Sequence, residues 1–176
     1  MAVVINGGGT ITGLSVGGLP DGIVDAATLS GVNNPMWKAK LSSNYSHTST
    51  NTWVTAPIAT ETFDSDNAFN TTNYTFTVPS GKAGKYVIYY QQQVNDNPDD
   101  GENIQGRIDK NGSALDYSYT IAISPGSNKT TIVGKTFVET LAVGDALVMK
   151  LYHHEGGTVT YSASQTYFGG YRLIGG

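Results

Sequence analysis

Tyr74, Phe76 and Val78 alternate with Thr75 and Thr77, and Leu115, Tyr117, Tyr119, Ile121 and Ile123 alternate with Asp116, Ser118 and Thr120. A period of two sends successive side chains to opposite faces of an extended backbone, so both runs read as strands with one buried face. Further strands are expected at Trp53 to Ile58 and in "TFVETL" (136–141), "ALVMKLY" (146–152), "TVTYSA" (158–163) and "QTYFGGYRLI" (165–174). No stretch from Pro35 onward sustains a helical period. Turn signals separate the runs: Asn111-Gly112 carries the hairpin signature, Gly144-Asp145 marks a second turn and Gly156-Gly157 a third. Short strands at this spacing predict an all-β sandwich or barrel.

"YVIYY", residues 86–90, departs from the half-polar strands around it, because it is apolar on both faces. One face belongs to a core. The other needs a cover, either a long loop or another subunit.

Composition narrows the partners. Charged residues are 14% of the 176 and the formal net charge is -4, so no basic field exists to hold a polyanion, and nucleic acid is not expected. No apolar run reaches the roughly 18 residues of a membrane span, so membrane insertion is not expected either. The absence of cysteine rules out a disulfide framework, a thiolate metal site and a thiol nucleophile. Residues 1–31 differ from the rest, being glycine-rich with isolated apolar residues at Ile11, Leu14, Val16, Leu19 and Ile23. Another copy of the same segment is the expected burial partner, with a disordered linker as the alternative; Asp25 would cap one helical turn ending at Gly31. The chain therefore divides into a stem or attachment segment, 1–33, and a head domain, 34–176.

The order of "TFDSDNAFNTTNYTFTVPSGKAGKYVIYY", "GRIDKNGSAL", "LAVGDALVMKLYHHEGG" and "YFGGYRLIG" resembles the globular head of complement component 1q, in the tumour necrosis factor-like superfamily. The matching positions are Phe63, Asp66, Phe76, Pro79, Gly84, Tyr86, Lys110, Asn111, Gly112, Leu141, Gly144, Asp145, Phe168, Gly169 and Leu173, and they span roughly residues 37–175. The resemblance implies a ten-strand jelly roll, two sheets packed as a sandwich, assembled as a homotrimer with outward loops used for recognition. It makes Tyr86, Ile88, Tyr90, Phe168 and Tyr171 the candidate trimer-interface residues. The opening "GTITGLSVGGLPDGIVDA" resembles leaders of bacteriophage tail-fibre and virion-surface proteins, which implies attachment to other virion proteins through residues 1–31 and a location on the virion surface.

Candidate chemistry is sparse. The acidic loop "NDNPDDGENIQG", residues 95–106, crowds Asp96, Asn97, Asp99, Asp100 and Glu102, the candidate receptor-binding residues. Its oxygen ligands suit a hard cation such as calcium, but aligned from Asp96 the third position is Pro98 and the twelfth Arg107, so a solvated acidic loop without a cofactor is the expectation. His153 and His154 point to opposite faces of an extended segment, which spoils a shared metal site. Asp64 and Asp66 offer two carboxylates on one side of "DSD", although Asp66 is expected to cap a turn. No nucleophile elbow, zinc helix or phosphate loop occurs, so no enzymatic activity is expected. Some of the eleven tyrosines and two tryptophans could form a sugar-stacking platform, though packing is the default for each. The reading is a trimeric phage tail-fibre or adhesin head that binds a host surface glycan or protein; a capsid decoration or connector with a structural role only is the alternative.

Overall fold

The computed structural model describes residues 34–95, 101–126, 129–154 and 156–173. Residues 1–33, the stem of the sequence reading, lie outside them. The strands in chain order are β1 Met36–Lys40, β2 Tyr45–His47, β3 Val54–Thr55, β4 Thr60–Asp64, β5 Phe69–Asn70, β6 Thr75–Thr77, β7 Gly84–Asn95, β8 Asn103–Lys110, β9 Ser113–Ala114, β10 Thr120–Ile123, β11 Thr131–Leu141, β12 Ala146–His153, β13 Val159–Tyr161 and β14 Tyr167–Arg172. A 3-10 turn, Asp116–Ser118, separates β9 from β10.

They form two antiparallel sheets. The first runs β2-β13-β7-β14-β1-β4, with β11 on the free side of β7; the second runs β10-β8-β12-β6-β5, with β3 beside β12 and β9 beside β8. Strand β7 organises the first sheet: β11 pairs with it from Gly84 to Val94, and β14 and then β13 share its other edge. Fourteen strands stand where ten were expected, and the surplus is in short pairings: β3, β5 and β9 have two residues each and β2, β6 and β13 three.

The core lies between the sheets. Trp37 stacks flat on Phe76, with centroids 3.5 Å apart and planes 6° apart, and Phe168 meets the indole edge-on at 5.7 Å. Tyr86 packs against Phe76 at 5.9 Å. Gly170 makes this possible, since a Cβ there would stand 2.5 Å from Cη2 of Trp37 and 2.6 Å from the Val87 carbonyl oxygen. Gly169, on the opposite face, leaves room for Tyr89, whose hydroxyl would lie 2.6 Å from a Cβ at that position.

Several sequence expectations need correction. The run 115–123 is not one strand with a buried apolar face: Ser118 is buried, while Tyr117, Tyr119, Ile121 and Ile123 are exposed. The cause is Ser118, whose hydroxyl donates to the Leu115 carbonyl at 2.6 Å and accepts from the Ile108 N–H at 2.8 Å. That inward anchor tightens the backbone into a turn and inverts the parity of the apolar residues. Tyr74 precedes β6 in a left-handed conformation, φ 61°, rather than starting the strand. Pairing at Trp53 to Ile58 is short: Val54 and Thr55 pair with β12, the Ala56 N–H donates once more to the Met149 carbonyl at 2.9 Å, and Pro57, which has no N–H, follows.

Candidate functional site

An apolar row crosses the outer face of the first sheet, which elsewhere carries polar side chains such as Lys38, Gln91 and Thr136. Because antiparallel partners share a face, the register places Met36 opposite Tyr171, Tyr171 opposite Val87, and Val87 opposite Val138, a row across β1, β14, β7 and β11. Phe63 lies opposite Lys38, alongside this row, and Met36, Phe63, Val138 and Tyr171 are all exposed. Two concavities open here, one of about 360 Å³ around Phe63, Tyr89 and Tyr171, the other of about 450 Å³ around Tyr89, Ile132 and Tyr167. Burial, with Tyr167 and Tyr171 close by, pushes the Tyr89 phenol above its ordinary pKa.

The sequence-derived interface residues divide by parity. Tyr86, Ile88, Tyr90 and Phe168 are buried in the chain's own core, so they cannot meet a neighbouring subunit; their places on an exposed face belong to Val87 and Tyr89. "YVIYY" is apolar on both sides and gives no sign of which parity faces inward. Tyr171 does reach the outer face. The Tyr90 hydroxyl is instead an internal clamp, 2.8 Å from the Gly106 carbonyl, 2.7 Å from the Ser118 carbonyl and 2.6 Å from Oγ1 of Thr120. Burial pushes its pKa up to about 12.

Of the receptor-binding candidates, Asp96, Asn97, Asp99 and Asp100 lie outside the described residues. Glu102 is half-buried, and its Oε2 is 2.7 Å from Nδ1 of the exposed His154. His153 points the other way, as the strand geometry requires, and its ring meets His47 edge-on at 4.5 Å in the core. Burial, and then the neighbouring His153, lowers the His47 pKa to about 4. Among the described residues no group of three His, Asp or Glu side chains is arranged to hold a metal. Asp64, rather than Asp66, secures the turn that follows it, accepting from the N–H groups of Phe69 at 2.7 Å and Asp66 at 3.2 Å. Asp66 accepts from the Ser65 hydroxyl and pairs with Lys82 at 3.3 Å. Both carboxylates are thus engaged in holding the chain.

The second sheet carries a concavity of a different kind on its outward face. Trp53, Gln105, Arg107, Ala114, Asp116 and Tyr119 line about 340 Å³. The Arg107 guanidinium lies over the indole of Trp53, 4.2 Å from its centroid, and donates to Asp109 through Nε at 2.7 Å and Nη2 at 3.3 Å. Tyr152 flanks the indole at 5.1 Å and Tyr119 at 6.2 Å. These residues are dispersed along the chain, and they meet through the pairing of β8 with β12, of β3 with β12 and of β9 with β8, together with the turn at Ser118. The polar and aromatic composition of the groove was therefore invisible to motif reading.

No protein-family model matches the chain, and no curated protein does. Solved structures match it well. The globular domain of zebrafish complement 1qA superimposes with a TM-score of 0.55 at 13% identity, covering 80% of this chain and 98% of that one. Murine APRIL at pH 5.0 gives 0.58 at 14% identity, over 79% and 98%, and Eiger TNF from S. frugiperda 0.55 at 13%, over 80% and 94%. Identities this low speak for the fold alone, which is the two-sheet jelly roll of the complement 1q and TNF globular domains.

Proposed function

We propose that this jelly roll is the head of a homotrimeric virion-surface protein, a phage tail-fibre or adhesin head that binds a host cell-surface glycan or protein and performs no catalysis. The observation that carries the reading is the apolar row Met36, Tyr171, Val87 and Val138. A continuous apolar face on a monomer marks an interaction surface. A second exposed apolar strip, Ile121 and Ile123, lies on β10 at the edge of the other sheet. Two unlike patches suit a head-to-tail contact, which closes into a ring when the rotation allows. The resemblance to complement 1q heads implies that the ring has three members.

The virion context is supported by the likeness of residues 9–26 to phage leaders, which would dock on other virion proteins. Three heads per trimer and several trimers per particle would bind by avidity, without strong single sites. Light scattering on the full chain at micromolar concentration should return three times the chain mass, and labelled trimer should adsorb to host cells or envelope extracts. A monomer mass defeats the assembly. A trimer that adsorbs to none, or a particle map placing it on the capsid shell, replaces the adhesin with a decoration protein.

A further inference from the structure

The geometry points to the Trp53–Tyr119 groove of the second sheet as a binding site for a neutral saccharide unit. This deepens the recognition role proposed above, and rests on it for its biological meaning. The groove lies on the sheet opposite the apolar row, so the row does not cover it; of the groove's own sheet the proposed contact takes Ile121 and Ile123, at the β10 edge.

Three properties select the ligand. The first is shape and surface: a concavity of about 340 Å³ with Tyr119 exposed at its wall offers an aromatic face against which the C–H side of a pyranose ring packs, at the small end of the volumes of ligand pockets. The second is a set of fixed polar groups. Asp109 and the Trp53 indole hold Arg107 in one orientation, leaving its remaining N–H groups as donors. The Asp116 carboxylate accepts no hydrogen bond from any described residue; it stands on a turn whose position is set by buried Ser118. A donor fork and a free carboxylate across one groove match the adjacent hydroxyls of a sugar ring, each hydroxyl both giving and accepting. The third is charge. Arg107 is offset by Asp109, and Lys150, opposite Arg107 in the β8–β12 register, by Asp116, so the site has no net charge with which to draw in sialic or uronic acids or phosphates.

The test uses the full chain. Trp37 is fully buried, so quenching or shift of the tryptophan emission on titration reports Trp53. The probes are glucose, galactose, N-acetylglucosamine, maltose and cellobiose, with glucuronate and sialic acid as anionic comparators. At least one neutral sugar should saturate the signal, and Asp116→Asn and Tyr119→Ala should each weaken it by roughly tenfold or more, the loss of a charge-assisted hydrogen bond or a stacking face. Both side chains are exposed, and an unchanged melting temperature and mass in each variant verifies the fold. Silence with every neutral sugar, tighter binding of the anionic ones, or titrations unchanged in both variants overturns the assignment. Host-cell adsorption separates the two readings: adsorption that persists in both variants keeps the adhesin and removes this site, whereas sugar binding at the groove by a trimer that adsorbs to no cell keeps the site and removes the adhesin.

Discussion

Asn111 and Asp145 hold each other across the end of the second sheet: the Asn111 amide donates to Oδ1 of Asp145 at 2.8 Å, and the Asn111 carbonyl oxygen of the side chain accepts from the N–H of Ala146 at 2.9 Å. Asn111 and Gly112, at φ 53° and 80°, make the two-residue turn between β8 and β9, while Asp145 follows the Gly144 turn that leads into β12. Lys110 adds a bond to Glu139 at 2.7 Å and an ion pair with Asp145 at 3.6 Å. Motifs that stand apart in the sequence are thus two halves of one tether.

Asp145→Ala should cost about 1–3 kcal/mol, since it removes two good acceptor bonds, and a double-mutant cycle with Asn111→Ala should show that the pair is coupled. Burial alone would raise the Asp145 carboxyl, but the Asn111 amide, the Ala142 N–H and Lys110 outweigh it and hold the pKa below the ordinary 3.8. A lowered carboxyl stabilises the fold above its unfolded pKa, and the gain is lost as pH falls through the folded value. Urea midpoints should therefore show wild type and Asp145→Asn converging at acid pH, below the ordinary aspartate range.

Acid should also loosen the other end of the molecule through His47. With a folded pKa of about 4 against an ordinary 6.5, the unfolded chain takes up a proton first, so stability is full above pH 6.5 and declines as pH falls towards 4, by at most about 3 kcal/mol. The groups packed around His47 are His153, Tyr45 and Tyr161. Melting temperature against pH should fall more steeply for wild type over this window than for His47→Leu; parallel curves would remove His47 as the cause.

Gly170→Ala should destabilise by about 1–3 kcal/mol, the usual cost of overpacking, because the new methyl meets the Trp37 indole and a backbone oxygen at once. Displacement of the stacked indole from Phe76 should appear as a red-shifted tryptophan emission, with chemical denaturation measuring the loss.

Val138→Lys places a charge on the outer row at a position already exposed in the protomer. Light scattering should then report the chain mass, with circular dichroism unchanged. Ile88→Ala, a core truncation, should instead cost about 2–5 kcal/mol and lower the denaturation midpoint.

Strand positions were legible where one face is polar, as at Thr75 and Thr77, because alternation then reports burial directly. It was silent at Tyr86–Tyr90, where both parities are apolar, and only the continuation of the buried parity through Gln92, whose Nε2 donates to the Gln105 carbonyl at 2.8 Å, marks the inward side. It misled at Tyr117–Ile123, where one buried serine reverses the faces. The groove at Trp53 carries no local signature at all, since its members meet through long-range pairings of β3 and β8 with β12 and through the turn at Ser118.

The position of β14 between β1 and β7 bears on how the molecule is made. Trp37 belongs to the first strand of the described head and Gly170, over which it folds, to the last. A nascent chain still short of β14 leaves that indole and the β1 edge without their partner. The ribosome must release nearly the whole head before the sandwich closes, so an arrested or truncated product should be held by chaperones rather than accumulate as a folded fragment.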